Sequence, residues 1–247
     1  METHAEIWSR AEALLGEDGM SSLRRMRVII FGVGGVGSWC AEALVRSGVG
    51  HLTLVDPDVV CYSNINRQLP ATLSTVGRAK VEVLRERFLT INPEAEIIAR
   101  QEAYTADTAH LFDLSSYDYV IDAIDSLRDK AELILNALKG ESVLLSSMGA
   151  ARKFDPTKVQ VAEFWKIEGD PLARALRKWF KHAERYPERK FRCVYSNEIV
   201  NSSPKVGEVA ALQTEEYETQ HAPLKGSLMP VTATFGLVIA SIIINSK

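Results

Sequence analysis

Cysteine is scarce in this 247-residue chain: Cys40, Cys61 and Cys193 are widely spaced and odd in number. That pattern excludes a disulfide framework and points to a reducing compartment. No CxxC pair occurs, which removes a structural zinc knuckle from consideration. Low-complexity tracts and internal repeats are also absent, so one compact domain over residues 1–247 is expected. The N-terminal METHAEIWSR lacks the apolar core of a signal peptide, and a cytoplasmic protein is expected. No uninterrupted apolar run approaches the ~20 residues that span a bilayer. The nearest, Leu228 to Ile243, contains Pro230, Thr232 and Thr234 and reads as a buried C-terminal helix, with no stable membrane insertion. The net charge of −3 excludes little, while the 46% hydrophobic content suffices for a real core.

What is present centres on RVIIFGVGGVGSWCAEALVRSGVGHLTLVDPD, Arg27 to Asp58. An apolar run, Val28 to Phe31, leads into Gly32-Val33-Gly34-Gly35-Val36-Gly37. A helical pattern follows, then a second apolar run, His51 to Val55, closing on Asp56. Strand, glycine turn, helix, strand and acid together point to a bound nucleotide. Gly32, Gly34, Gly35 and Gly37 would serve a tight turn, close approach of backbone N–H groups to phosphate, and close helix packing. The start of the helix adds partial positive charge at the same place. Asp56 sits where a carboxylate can accept hydrogen bonds from ribose hydroxyls. NAD, FAD and ATP can all use such a corner.

Downstream, DVVCYSNINRQLPATLST (58–75) leaves the carboxyl end of the second strand, the edge where α/β sheets bind ligands. Asn64, Asn66, Arg67 and Gln68 supply amide donors and a fixed cation, a combination suited to polyphosphate, although an ordinary surface loop would also look like this. Gly77-Arg78-Ala79-Lys80 opens a helix to Asn92. Lys80 in its first turn opposes the helix dipole unless an anion lies nearby, and a phosphate would supply one; otherwise the side chain points to water. Ala95–Arg100 and Asp118–Ala123 read as strands, with a short helix over Thr105–Phe112 between them. Asp122 and Asp125 straddle the carboxyl edge of the second of these, where one carboxylate can hold Mg2+ against phosphate oxygens. Asp125 or Ser126 can equally cap the next helix, Leu127–Leu138, and the two roles can be divided between them.

The second half, 151–247, reads as the substrate side. Ser142–Ser147 is a strand, Lys158–Phe164 alternates like a half-exposed antiparallel strand, and Phe191–Ser196 is a strand carrying Cys193. A helix from Pro171 to about Arg185 puts Arg174, Arg177, Lys178, Lys181 and Arg185 on one face. Leu172, Leu176, Trp179, Phe180 and Ala183 share the opposite one. The basic stripe suits a nucleic-acid backbone, or it is a solvated face. Near the N-terminus, residues 6–18 read as an amphipathic helix with Ile7, Leu14 and Leu15 inward, ending near Gly16 to Gly19, and Arg10 reads from periodicity as solvated. Residues 197–226 are polar, a crossover loop or partly disordered.

Taken together, GxGGxG at Gly32–Gly37, Asp56, Asn64-Ile65-Asn66-Arg67-Gln68, Gly77-x-x-Lys80 and Asp122-x-x-Asp125 resemble the adenylating core of the ubiquitin-activating, ThiF and MoeB superfamily. Phe31 to Trp39, Val120 to Ser126, Asp170-Pro171-Leu172, Cys193 to Ser196 and Val231 to Gly236 are similar to the tRNA threonylcarbamoyladenosine dehydratase branch. The resemblance implies an α/β, Rossmann-like adenylation fold: a largely parallel central sheet with an antiparallel portion and helices on both faces. It also implies ATP-dependent activation of a carboxylate on a tRNA nucleoside through an acyl-adenylate, followed by ring closure with net loss of water. By that resemblance Arg67 and Lys80 would hold polyphosphate, Asn64 and Gln68 would fix its oxygens, Asp125 would hold Mg2+, and Asp56 would grip the ribose. Arg10 matches an arginine contributed by the other subunit of a homodimer. The paired zinc-binding cysteines of ThiF-like and MoeB-like relatives are missing, which disfavours the alternative, adenylation of a ubiquitin-like or sulfur-carrier C-terminus. Cys193 is read either as a sulfur-handling thiol, served by a sulfur-transfer partner protein, or as a buried structural one.

Overall fold

The computed structural model describes residues 2–199 and 226–246. Most of the segment expected as a crossover loop, residues 200–225, lies outside the described residues. The described chain runs α1 (Glu2–Arg25), β1 (Arg27–Phe31), α2 (Gly37–Arg46), β2 (His51–Val55), α3 (Lys80–Ile91), β3 (Glu96–Arg100) and β4 (Tyr119–Asp122). It continues with α4 (Leu127–Ala137), β5 (Val143–Ser147), β6 (Val159–Glu163), α5 (Pro171–Ala183), β7 (Arg192–Ser196) and α6 (Met229–Ile244).

The strands form one seven-stranded sheet in the order β3-β2-β1-β4-β5-β7-β6. All neighbours are parallel except β6 and β7, the antiparallel portion expected from the alternation at 158–164. Strand β1 lies between β2 on one side and β4 on the other, so successive crossovers leave in opposite directions at its carboxyl end. A crevice at such a switch point is where open α/β sheets bind ligands.

Parallel strands covered on both faces read as continuous apolar runs, and β1 shows why. Val28 and Ile30 pack with α2, α3 and α6 through Leu44, Leu84, Phe88 and Phe235. Ile29 and Phe31 point the other way, into a core with Leu133, Ile134, Leu176 and Phe180 of α4 and α5. Helix α6 is seated tightly on α2: a Cβ on Gly236 would stand 2.4 Å from the Val36 carbonyl oxygen. That packing explains its apolar composition, and among the described residues no helix is long and apolar enough to cross a membrane.

Three local expectations are corrected. Helix α1 does not stop near Gly16 but kinks there, at φ +72°, and resumes to Arg25. The inward residues are Trp8, Met20 and Leu23, with Leu15 half-buried beside them as expected, while Ile7 is 47% and Leu14 85% exposed. The expected helix over 105–112 shrinks to a 3₁₀ turn, Ala109–Leu111. There the Thr108 hydroxyl accepts from the Thr105 N–H and donates to the Ala103 carbonyl, offering the backbone a local alternative to helix. Finally, α3 starts at Lys80, because Gly77 and Arg78 bond instead with Val60.

Candidate functional site

The glycine turn sits at the carboxyl end of β1. The Gly32 N–H still donates to the Val55 carbonyl, but its φ of +86° turns the chain away from the sheet. A Cβ there would meet the Ala123 carbonyl oxygen at 2.7 Å, so the turn and the loop after β4 touch backbone to backbone. Gly37 is as constrained, since its Cβ would fall 1.9 Å from the Gly32 oxygen. Together these two residues let α2 begin directly above the turn. No side chain caps α2; the Ser38 N–H is taken by the Gly34 carbonyl, and the helix dipole still favours an anion at this end.

Asp56 ends β2 and is 5% exposed. Its two oxygens accept from the Val33 N–H at 2.8 Å and the Asp58 N–H at 2.9 Å, locking the glycine turn to the second strand. Burial pushes its carboxyl above the usual range, against the opposing pull of Lys80 and the two N–H donors. Lys80 is 4% exposed, with Nζ 2.7 Å from Asp58 Oδ2 and 3.8 Å from Asp56 Oδ1. The anion that the dipole argument required is therefore a carboxylate pair of the chain itself, not only a phosphate. Asp58 is not among the sequence-based candidates, although its Asp-x-Asp spacing after β2 is the available signal.

Residues 61–69 form a pinned loop rather than a loose one. The Trp39 indole N–H donates to the Arg67 carbonyl at 3.0 Å, and the Leu69 N–H donates to the Ser38 hydroxyl. Asn64 Oδ1 accepts from the Cys61 N–H, closing its own turn, and Asn66 Nδ2 donates to the Ser227 carbonyl beside α6. These two asparagines thus build the loop. Arg67 donates to the Ser63 carbonyl and to Asn66 Oδ1, with its guanidinium otherwise at the surface. Gln68 is 8% exposed, lies beside Gly34, and has a buried Oε1 with no partner among the described residues.

After β4, Asp122 does not stand at the edge as expected. It is fully buried, with Oδ1 2.8 Å from Lys130 Nζ and Oδ2 accepting from the Ser146 hydroxyl. Asp125 is exposed, as is Ser126, which occupies the N-cap position of α4 without bonding through its side chain. Gly32 to Gly37, Asp56, Lys80, Gln68 and the loop of Asp125 are thus brought to one corner through direct contacts.

Other expected residues lie elsewhere. Arg10 is exposed on α1, whose neighbour Trp8 packs toward Gly48 at the amino end of β2, the opposite end of the strands. On α5 the five-residue stripe divides. Arg174, Lys178 and Lys181 are exposed, whereas Arg177 donates to the Phe164 and Ile167 carbonyls; the helix ends at Ala183, short of the expected Arg185, which is exposed beyond it and forms a two-bonded pair with Glu132. Cys193 is 1% exposed on β7, and burial pushes its thiol well above the ordinary value. Burial inside the core favours the structural reading of this thiol over the sulfur-handling one. Among the described residues, no cluster of three or more His, Cys, Asp or Glu could cage a metal ion.

Comparison with known proteins agrees with this geometry. The model of the ThiF family matches residues 8–246. The tRNA threonylcarbamoyladenosine dehydratase of Bacillus subtilis is 48% identical over 170 residues, covering 69% of this chain and 67% of that protein. The Escherichia coli enzyme of the same name is 38% identical over 240 residues, covering 92% and 88%. The crystal structure of the Escherichia coli dehydratase in complex with ATP superposes with a TM-score of 0.84 at 34% identity, covering 99% of this chain and 94% of that one. The molybdopterin-synthase adenylyltransferase of Escherichia coli is a more distant relative, at 31% over 199 residues and 81% of this chain. With its switch-point crevice, open glycine cradle and matched motifs over almost its whole length, the chain belongs to the ThiF family.

Proposed function

We propose that this protein catalyses the ATP-dependent dehydration of N6-threonylcarbamoyladenosine in tRNA, acting as a homodimer in the cytoplasm. The observation that carries the reading is the corner itself. A glycine cradle with an uncapped helix start, a buried lysine and an orphaned Gln68 acceptor lies in a chain superposing on an ATP-bound dehydratase over 99% of its length.

In this reading the threonylcarbamoyl carboxylate attacks the α-phosphorus of ATP and pyrophosphate leaves, giving an acyl-adenylate. An atom of the same side chain then attacks the activated carbonyl, and AMP departs with the carboxylate oxygen. The ring closes with net loss of water and needs no external nucleophile. Positioning and electrostatics carry such phosphoryl chemistry. The backbone at Gly34 and Gly35 would approach the α-phosphate, with Thr232 of α6 packed against the far side of Gly35 and Gln68 beside Gly34. Arg67 and Lys80 offset the charge that develops on the polyphosphate, with Asp58 holding Lys80 in place until the nucleotide arrives. Asn64, Asn66, Gln68 and Ser126 frame the nucleotide, and Asp56 faces the ribose.

The residues also fit a magnesium ion of the kind bound by one carboxylate plus substrate phosphates. Asp125 offers an exposed carboxylate in the loop touching Gly32, and among the described residues no protein cage competes for the ion. When bound, Mg2+ would neutralise polyphosphate charge, with Asp125 as its protein ligand. Arg10 would act across the dimer interface: Ile7, Arg10 and Leu14, at helical spacing on one exposed face of α1, form an apolar patch around a cation that suits a second copy. The tRNA would lie along Arg174, Lys178 and Lys181.

Mass spectrometry of tRNA nucleosides after incubation with ATP and Mg2+ tests the reading. A loss of one water from threonylcarbamoyladenosine is expected, and Asp125→Ala and Arg67→Ala should each reduce the rate by at least about 100-fold. An unchanged nucleoside mass with wild-type protein would move the function to adenylation of a carrier-protein C-terminus.

A further inference from the structure

Lys130 is a fully buried cation with no role in the chemistry described so far. It lies on the second turn of α4, 0% exposed, with its ammonium 2.8 Å from Asp122 Oδ1 and 2.8 Å from the Ile124 carbonyl oxygen. Asp122 is itself 0% exposed and is bonded further to the Ser146 hydroxyl and the Ile124 N–H. The Lys130 N–H meanwhile donates to the Ser126 carbonyl. Both sides of Asp125 are therefore tied to one lysine: Ile124 through its side chain and Ser126 through its backbone.

Stability alone does not account for this arrangement. Two opposite charges taken fully out of water regain little more than their desolvation cost, and well-packed apolar residues of similar volume commonly serve as well or better. An apolar pair could not hold the Ile124 carbonyl. That carbonyl lies in the stretch packed against Gly32, where the Ala123 oxygen and the Ile124 nitrogen would stand 2.7 and 3.2 Å from an added Cβ. The Ala123 N–H is fixed to the Phe31 carbonyl on the other side.

We propose that Lys130 is a positioning residue: by holding the Ile124 carbonyl against buried Asp122, it fixes the loop that presents Asp125 to the polyphosphate and its Mg2+. The inference rests on the reading of Asp125 above. Groups that orient a metal ligand from behind typically change metal affinity by about 10–100-fold when removed.

The test uses the full-length protein and ATP, titrated calorimetrically in Mg2+ and in EDTA. The double variant Asp122→Asn/Lys130→Met removes both charges together, so neither is left buried alone. It should bind ATP in EDTA within about twofold of wild type, because the glycine cradle is intact, yet lose about tenfold or more of the gain in affinity that Mg2+ confers. Should that variant fail to fold, Lys130→Arg keeps a cation for Asp122 while displacing the donor from Ile124, and the same split between the two buffers is expected. A wild-type Mg2+ gain, or an equal loss in both buffers accompanied by a lower melting temperature, overturns the proposal. Asp125→Ala run in parallel separates the two ideas: it should melt like wild type and lack the Mg2+ gain. If it keeps that gain, the Asp125 assignment falls, and the brace with it.

Discussion

A buried acceptor without a donor destabilises the folded chain by about 1–3 kcal/mol for each such atom. Gln68 Oε1, Glu163 Oε1 and Asp170 Oδ2 are three among the described residues. Gln68 stands beside the cradle, where a donor on a bound nucleotide would satisfy it. Asp170 instead uses its other oxygen to cap α5, accepting from the Ala173 N–H at 2.8 Å. Burial raises its pKa, opposed by that N–H and by Lys153. A raised carboxyl binds its proton more tightly in the folded state, so its contribution favours folding at low pH and is lost as pH rises through the folded value. Compared with Asp170→Asn, wild type should therefore gain stability as the pH falls from 7 toward 4, visible as a rise in the melting temperature of wild type relative to that of the variant. A constant difference across that range would contradict the assignment. Thiol reactivity separates the cysteines as cleanly: Cys61 is exposed while Cys40 and Cys193 are buried. One thiol per chain should react with a disulfide reagent in native protein and three after unfolding. Cys193→Ala should keep turnover while costing about 1 kcal/mol of stability.

Helix α5 shows how one element can mix structural and surface charge. Its apolar side, Ala173, Leu176 and Phe180, packs on α4 and on Phe164, Arg177 belongs to that packing through its carbonyl partners, and Arg185, exposed just past the helix, pairs with Glu132 of α4. Reversing Arg174, Lys178 and Lys181 to Glu should weaken tRNA binding and lower the slope of log affinity against log salt by about 0.7–0.9 for each phosphate no longer neutralised, with the melting temperature unchanged. Arg177→Ala should do the reverse, lowering stability by about 1–3 kcal/mol while leaving the salt slope alone. Filter binding across a salt series, paired with thermal melts, distinguishes the two. Helical periodicity finds α5 and its apolar face directly, because burial of one stripe leaves a 3.6-residue signature. It cannot divide the cations, since a guanidinium that turns back to a backbone carbonyl looks the same in sequence as one facing water. The same limit explains the first half of α1, where the inward stripe runs through Trp8, Ala11 and Leu15 and turns Ile7 and Leu14 outward, a choice of face that the apolar pattern alone leaves open.

At the scale of the molecule, the sheet order places residues from five separate segments at one crevice. That much is legible in sequence, because Gly32 to Gly37, Asp56, Lys80 and Asp125 each sit just beyond a strand or at a helix start, where chain direction alone locates them. Asp58 and Lys130 are not legible, since their importance lies in pairings across 22 and 8 residues of chain that no periodicity marks. Arg10 depends on a still larger scale. Within one chain, α1 packs against Gly48 and Gly50 at the amino ends of the strands, and a five-residue strand separates those ends from the nucleotide crevice by roughly 17 Å. An arginine there serves a neighbouring subunit's crevice more readily than its own, and the exposed Ile7 and Leu14 beside it fit an interface between copies. Complementation makes this measurable. Arg10→Ala and Asp125→Ala proteins should each be inactive, yet after dissociation and re-association of an equal mixture, half the dimers would be mixed. Each mixed dimer would hold one crevice with its own Asp125 and its partner's intact arginine, restoring about a quarter of wild-type activity. Recovery no greater than the sum of the two variants, with mixed dimers shown to have formed, would place Arg10 outside the reaction altogether.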